Sequence, residues 1–333
     1  MARYIIIGAG AIGAVLAAQL EQAGIGQVLV GRGKNIETIR TRGVELIQRD
    51  VARTVKVQTA TSPSEVTLLP DDVLVAATKV QDLPEVFASW AWQPVTFATH
   101  TGTASQLPLV TLQNGLAADR MALRYFAKVL GGTILTPSQH LTPGQVRVGT
   151  EDAIGVITLG LMPRGVDQQV AAVAADFRRA QYLVQESPDV GRWKAAKLLY
   201  SVRNGLEVLS GDPEQVQELG RRLVAEAQQV FSAAGIAVAD PATERDQDLS
   251  RFRIDQHTGV HPGQQSTWQS FTRGSSSEVD YLNGEIVQLG RLHQVPTPYN
   301  AALQQELGMA AANHEAPGLR DVSAVFTRVQ LLS

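Results

Sequence analysis

The chain opens on short branched apolar runs that alternate with longer stretches of helical spacing. Tyr4–Ile7 reads as a strand, and Ile12–Ala23 as a helix closed by Gly24. Gln27–Val30 is a second strand, and Ile36–Arg42 a short helix ended by Gly43. Val73–Ala77, preceded by the turn Pro70-Asp71-Asp72, is a third apolar run. Pro108–Leu112 is a fourth, closed by Asn114-Gly115. This alternation predicts a parallel, doubly wound α/β sheet. Near Pro143-Gly144 the pattern changes, and Val146–Val148 and Ile154–Leu159 read as strands pairing at a sheet edge.

From Pro188 onward the period is helical. Trp193–Leu209, Glu214–Ala234, Thr267–Arg273, Val279–His293 and Tyr299–Ala312 carry apolar residues at 3.6-residue spacing. Gly211, Gly235 and Gly274 stand where helices would stop. The division expected is an α/β domain over 1–187 and a mainly α-helical domain over 188–333. The polar stretch Ala239–Gln265 reads as a long ordered loop or short helices at the surface. There is no internal repeat and no low-complexity tract.

Composition narrows the function classes. The 333 residues are 44% hydrophobic and 18% charged, ordinary for a globular protein. With 29 Lys and Arg against 32 Asp and Glu, the net charge of −3 argues against a general nucleic-acid binder or electrostatic docking on an anionic membrane. The absence of cysteine excludes disulfides, thiolate catalysis and Cys-ligated metals, and fits the cytoplasm. Tyr4–Leu20, uncharged and preceded by Arg3, could imitate a secretory leader. Its glycine spacing, and Glu21-Gln22 where a small-residue cleavage site would fall, favour a buried strand and helix. No stretch reaches the ~18–20 apolar residues of a membrane span. The histidines at 100, 140, 257, 261, 293 and 314 form no convincing ligand set, and no metal is expected.

Gly8-Ala9-Gly10-Ala11-Ile12-Gly13 lies between the first strand and the first helix. In that context the first glycine allows a tight turn, the second a close approach of backbone N–H groups to a pyrophosphate, and the third close packing of helix on strand. This is the fingerprint of a Rossmann-like dinucleotide site; a ligand-free glycine turn is the alternative. An acid at the end of the second strand would select NAD. The strand instead runs into Gly31-Arg32-Gly33-Lys34, which points to NADP(H), with Arg32 placed for the 2′-phosphate.

Two features of the helical half are ambiguous on local grounds. At about 100° per residue, Lys194, Lys197, Ser201 and Asn204 fall within roughly 80° of arc on an otherwise apolar helix. Such a stripe either faces water or lines a cleft, where a lysine can act as general acid or anion anchor. Glu278 is either the N3 residue of a capping box begun by Ser275 or, if Ser277 caps, a side chain facing a ligand. Ser266 and Ser270, four apart, share a face if their segment is helical.

Taken together, these segments resemble the ketopantoate reductase family over nearly the whole length. The likeness runs through the glycine turn, Thr78-Lys79, Leu112-Gln113-Asn114-Gly115, Trp193-Lys194-Ala195-Ala196-Lys197-Leu198-Leu199, Ser266-Thr267-Trp268-Gln269, Ser277-Glu278-Val279-Asp280-Tyr281-Leu282-Asn283-Gly284 and Val295-Pro296-Thr297-Pro298. It implies a cytoplasmic, NADPH-dependent oxidoreductase of pantothenate and coenzyme A biosynthesis, reducing 2-dehydropantoate to pantoate. It implies Lys197 as general acid and Glu278 as the glutamate holding substrate and cofactor. It implies Ser266 at the substrate carboxylate, with Asn114, Ser201, Asn204 and Ser270 also on the substrate, and Lys79 and Asn114 beside the nicotinamide. Ser201 stands where the family commonly carries asparagine; a second asparagine, common one or two turns further on, appears as Asn204, seven after the lysine, with Gly205 at eight; and Ser270 replaces a common aspartate. These departures lie in the substrate half, so a different branched 2-oxo acid is the alternative substrate. A non-catalytic NADP-binding sensor is the alternative from another class. The partner expected is a small-molecule 2-oxo acid, not nucleic acid or membrane, and a homodimer through the late helices is left open.

Overall fold

The fold is described from a computed structural model covering residues 2–255, 259–261 and 263–332. The main sheet has eight strands: β1 Arg3–Ile7, β2 Gln27–Val30, β3 Thr59–Ala60, β4 Asp72–Ala76, β5 Pro108–Thr111, β6 Lys128–Leu135, β7 Gly155–Leu161 and β8 Tyr182–Glu186. Their spatial order is β8-β7-β6-β5-β4-β1-β2-β3. The first six strands therefore take the order 3-2-1-4-5-6 of a dinucleotide-binding sheet, which reverses direction between β1 and β4. Neighbours are parallel except β6 and β7, where Leu130 pairs with Leu161 in an antiparallel ladder. The branched run Tyr4-Ile5-Ile6-Ile7 is wholly buried, as a central strand covered on both faces must be.

Several expectations need correcting. The strands read near Val146 and Ile154 do not pair with each other. Gln145–Val148 pairs in parallel with Val44–Gln48, which forms a hairpin with Val51–Val55 in a separate four-stranded sheet. Gly155–Leu161 is buried along almost its whole length, and so lies inside the main sheet between β6 and β8. Strand β6 is hidden in the sequence by Gly131-Gly132. A Cβ on Gly131 would lie 2.9 Å from Met162 Sδ, and one on Gly132 3.0 Å from Leu112 Cδ2, so packing accounts for both glycines. The sequence pattern also gives no sign of helices α3 Leu83–Trp90, α4 Ala117–Ala122, α5 Gln168–Arg179 and α11 Val322–Leu332.

The chain forms two compact units. The first comprises 1–113, 118–191 and 242–260; the second comprises 114–117, 192–241 and 261–333. Each has its own apolar core. A single division at 187/188 misses two excursions. The stretch Ala242–Val260 belongs to the first unit because its polar groups satisfy strand edges there. The Gln185 side chain donates to Glu244 O (3.0 Å), Gln247 donates to Ile157 O (2.8 Å), and Glu151 N–H donates to Arg253 O (2.9 Å).

Among the described residues, the helices of the second unit are α6 Val190–Ser201 (from Arg192 on), α7 Pro213–Ala233, α8 Ser266–Thr272, α9 Val279–Leu292, α10 Pro298–Ala312 and α11 Val322–Leu332. The helix expected over Trp193–Leu209 stops at Ser201, and a 3-10 turn takes over at Asn204–Val208. The cause is tertiary. A Cβ at Gly205 would lie 2.5 Å from Leu307 Cδ1, so α10 presses on this turn where no side chain intervenes.

Candidate active site

The glycine-rich turn joins β1 to α1, Ala11–Gln22. Gly8 has φ +123°, and a Cβ there would lie 2.6 Å from the carbonyl carbon of Ala77, so the turn abuts Ala77-Thr78 at the end of β4. A Cβ on Gly13 would lie 1.8 Å from Gly8 O, and only glycine lets the helix sit so close to the turn. Gly10 differs from both. It is exposed at the start of α1, and a Cβ there would meet nothing within 4 Å. Its backbone faces open space at a helix N-terminus, where unsatisfied N–H groups favour an anion. Ala9, Ala11 and Ile12 are half-buried beside it.

Asn35, which the sequence does not single out, and Gln113, which it offers only inside the Leu112-Gln113-Asn114-Gly115 motif, shape this end of the sheet. Asn35 donates from Nδ2 to Ala9 O and accepts the Gly144 N–H at 2.7 Å, which ties down the middle of the turn. Gln113 donates to Ala76 O (2.9 Å) and Thr78 O (3.0 Å), while its buried Oε1 has no hydrogen-bond partner. An open backbone cradle, together with an orphaned amide oxygen at the carboxyl ends of adjacent strands, fits a dinucleotide. Lys79 is half-buried and begins the 3-10 turn Val80–Asp82. Arg32 is exposed at the start of α2, Gly33–Arg42, and pairs with Glu85 at 3.3 Å.

In the second unit the polar stripe of α6 does not face water. Lys194 and Ser201 are each 2% exposed, Asn204 is 6% exposed, and Lys197 is half-buried. Asn204 is out of helical register with the other three, in the turn that follows α6. Burial lowers the pKa of Lys197 to about 7; the Lys194 charge adds to the drop and Glu278 opposes it. A lysine so poised can hold or release a proton near neutral pH.

Glu278 does not cap. It sits at the N-cap position of α9, but its side chain makes no capping hydrogen bond. Ser277 Oγ instead accepts the Val279 N–H at 3.2 Å. Ser275 Oγ donates to Ser270 O at 3.2 Å, so the box from Ser275 to Glu278 does not form. The charge of Glu278 acts on Lys197, raising its pKa against the effect of burial. Gly115 has φ +80°, and a Cβ there would lie 2.6 Å from Tyr281 O, so the Asn114-Gly115 turn packs against the first turn of α9. Asn114 itself is half-buried.

Ser266 is exposed as the first residue of α8. Ser270, expected on the substrate, lies one helical turn after Ser266 on α8. It is buried, and its hydroxyl donates to Ser266 O at 2.8 Å, the usual back-bond of a helical serine. A buried chain of polar groups, also unread, braces the end of α6. Asn283 donates to Val202 O (2.9 Å) and Asn300 Oδ1 (3.0 Å), and Glu226 accepts the N–H groups of Tyr299 (2.8 Å) and Asn300 (2.9 Å). Their only signal in the sequence is polarity on apolar helical faces. His257 lies outside the described residues.

The family model described as Ketopantoate reductase PanE/ApbA matches residues 4–164, and its C-terminal counterpart matches residues 193–311. The chain is 26% identical over 303 residues to the 2-dehydropantoate 2-reductase of Pyrococcus abyssi, covering 90% of this chain and 94% of that one. It is 28% identical over 326 residues to the Mycobacterium tuberculosis protein of that name, covering 94% and 98%. Among solved structures, a PanE/ApbA family ketopantoate reductase from Ralstonia eutropha JMP134 superposes with TM-score 0.73 at 23% identity, covering 94% and 99%. D-mandelate dehydrogenase, solved with NADH and anilino(oxo)acetate, gives TM-score 0.74 at 18% identity, with the same coverage. No helix among the described residues is long and apolar enough to cross a membrane. The matches to both halves, on a fold with this strand order, make the chain a member of the ketopantoate reductase family of oxidoreductases.

Proposed function

We propose that the protein reduces 2-dehydropantoate to pantoate with NADPH, as its 2-dehydropantoate 2-reductase relatives suggest, and that Lys197 is the general acid. The observation that carries this reading is the placement of Lys197: half-buried, brought to a pKa of about 7, with Glu278 acting on it. Its ammonium can give a proton to the carbonyl oxygen as that oxygen becomes a hydroxyl. NADPH, when bound, supplies the hydride that goes to the keto carbon.

The other roles follow from position. The first unit holds the dinucleotide, with the Gly8–Gly13 turn at the pyrophosphate, Arg32 at the 2′-phosphate and Lys79 toward the nicotinamide; Asn114, in the second unit, is assigned to the nicotinamide and the substrate. Glu278 opposes loss of the Lys197 proton and orients substrate and cofactor. Ser266, exposed at the head of α8, contacts the substrate carboxylate, and Ser201 and Asn204 orient the rest. Ser270 acts on the substrate indirectly, through its bond to Ser266. A different branched 2-oxo acid is the second reading, favoured by the short hydroxyl of Ser201, which reaches less far than an amide.

The deciding experiment follows NADPH oxidation with 2-dehydropantoate and a panel of 2-oxo acids, for the wild type and Lys197→Ala. The expected result is turnover of 2-dehydropantoate that falls about 10²–10⁴-fold in the variant, the usual weight of a general acid. Tight NADPH binding without turnover of any 2-oxo acid would discard the reading in favour of a sensor.

A further inference from the structure

The short helix α8 carries Ser266, yet its start is held by a residue from another part of the second unit. The N-cap residue of α8, Gln265, uses no side-chain cap of its own. Its backbone N–H donates to Glu207 Oε2 at 2.8 Å. Its side-chain Nε2 donates to Tyr200 Oη at 3.2 Å. Tyr200 lies on α6, between Lys197 and Ser201, and the Arg203 guanidinium stacks over its ring at 5.1 Å. Glu207 lies on the 3-10 turn Asn204–Val208, against which α8 packs. Gln265 is therefore gripped from two sides, both belonging to the segment that carries Lys197, Ser201 and Asn204. A carboxylate accepting a backbone N–H is a charge-assisted bond, stronger than one between neutral groups. Burial raises the pKa of Glu207, and both the backbone and the side chain of Gln265 work against that rise.

We propose that Glu207 is a positioning residue for the substrate site: by accepting the Gln265 N–H it fixes Ser266 in register with Lys197 and Ser201 on α6. This rests on the reading of Ser266 as the carboxylate contact. The mechanism separates binding from chemistry. A loosened α8 weakens the hold on the 2-oxo acid, while Lys197 on α6 keeps its surroundings. Gln at 207 still offers a carbonyl oxygen to the Gln265 N–H; Ala offers nothing.

The test compares Glu207→Ala and Glu207→Gln with the wild type in three measurements: steady-state kinetics on the 2-oxo acid panel, NADPH binding without substrate, and amide hydrogen exchange over 266–272. For Glu207→Ala the expected outcome is a KM about tenfold higher, the loss of one hydrogen bond to a charged group, with kcat within about threefold and NADPH affinity unchanged. Exchange in α8 should be faster in Glu207→Ala alone, and Glu207→Gln should recover most of the KM. Unchanged KM with unchanged exchange overturns the proposal, as does a Glu207→Gln variant as impaired as Glu207→Ala. If the wild type turns over no 2-oxo acid, the functional reading fails separately. Exchange then decides alone: faster exchange in Glu207→Ala sustains the latch, and unchanged exchange removes it.

Discussion

The glycine turn of the first unit and the α6 stripe of the second do their work by opposite means. The turn is a matter of backbone shape. Gly8 and Gly13 are glycine because main chain fills the space a Cβ would need, and Gly10 is glycine although the protein leaves that space open. The stripe is a matter of electrostatics in a buried setting. Lys194, Lys197 and Ser201 gain meaning from burial and from Glu278, which arrives from a helix some eighty residues further on. Shape in a short loop is local, while a tuned lysine is a property of the folded unit.

The sharpest way to break this contrast is to put a methyl group into each glycine. Gly13→Ala sets a Cβ against backbone that cannot move aside, so stability should fall by about 3 kcal/mol or more, the upper range for overpacking. The check is a denaturant or thermal melt. Gly10→Ala should melt like the wild type, because its Cβ touches no protein atom. It should nevertheless weaken NADPH binding about tenfold, as the methyl group stands where a pyrophosphate would approach. If Gly10→Ala binds NADPH as the wild type does, the cradle is not used, and the glycine is only a turn residue.

On the other side of the comparison, the expected signature is a pH limb. Reduction needs Lys197 protonated, so kcat/KM should be flat at low pH and fall as pH rises through about 7. Lys194 pushes that pKa down, so Lys194→Met should move the limb to higher pH, by up to about one unit. Glu278→Gln removes the opposing charge and should move it to lower pH. A limb that ignores Lys194→Met would mean that Lys197 is not the titrating acid.

The same contrast explains what could be read in advance. The strands β1 and β2, the turn and α1 follow from apolar runs and glycine spacing, all local signals. The stripe on α6 was visible as a pattern, but periodicity does not say whether polar residues face water or a buried recess. Glu278 looked like a cap because Ser275 is at the right spacing; in the fold Ser275 is bonded to Ser270 O instead. The end of α6 at Ser201 depends on α10 pressing against Gly205, and strand β6 on partners for Gly131 and Gly132. Asn35 and Gln113 hold that end of the sheet by bonds to backbone far along the chain; nothing beside Asn35 in the sequence marks it, and the Leu112-Gln113-Asn114-Gly115 motif marks Gln113 without saying what its side chain bonds.

The smallest effect belongs to Arg32, and it tests how far the local reading of the first unit extends. Arg32 is the residue that sequence context assigns to the 2′-phosphate, yet it is exposed, and its ion pair with Glu85 at 3.3 Å is exposed on both sides. Solvated pairs of this kind contribute about 1 kcal/mol at most. A 2′-phosphate meeting the same exposed guanidinium should gain a similar amount, so Arg32→Ala should lower affinity for NADPH about fivefold and leave NADH affinity unchanged. Glu85→Gln removes the competing carboxylate and should shift NADPH affinity slightly the other way. Direct binding titrations of both nucleotides separate these effects from catalysis. If Arg32→Ala leaves the ratio of the two affinities untouched, the 2′-phosphate is recognised by another group, and Lys34 in the first turn of α2 is the next to replace.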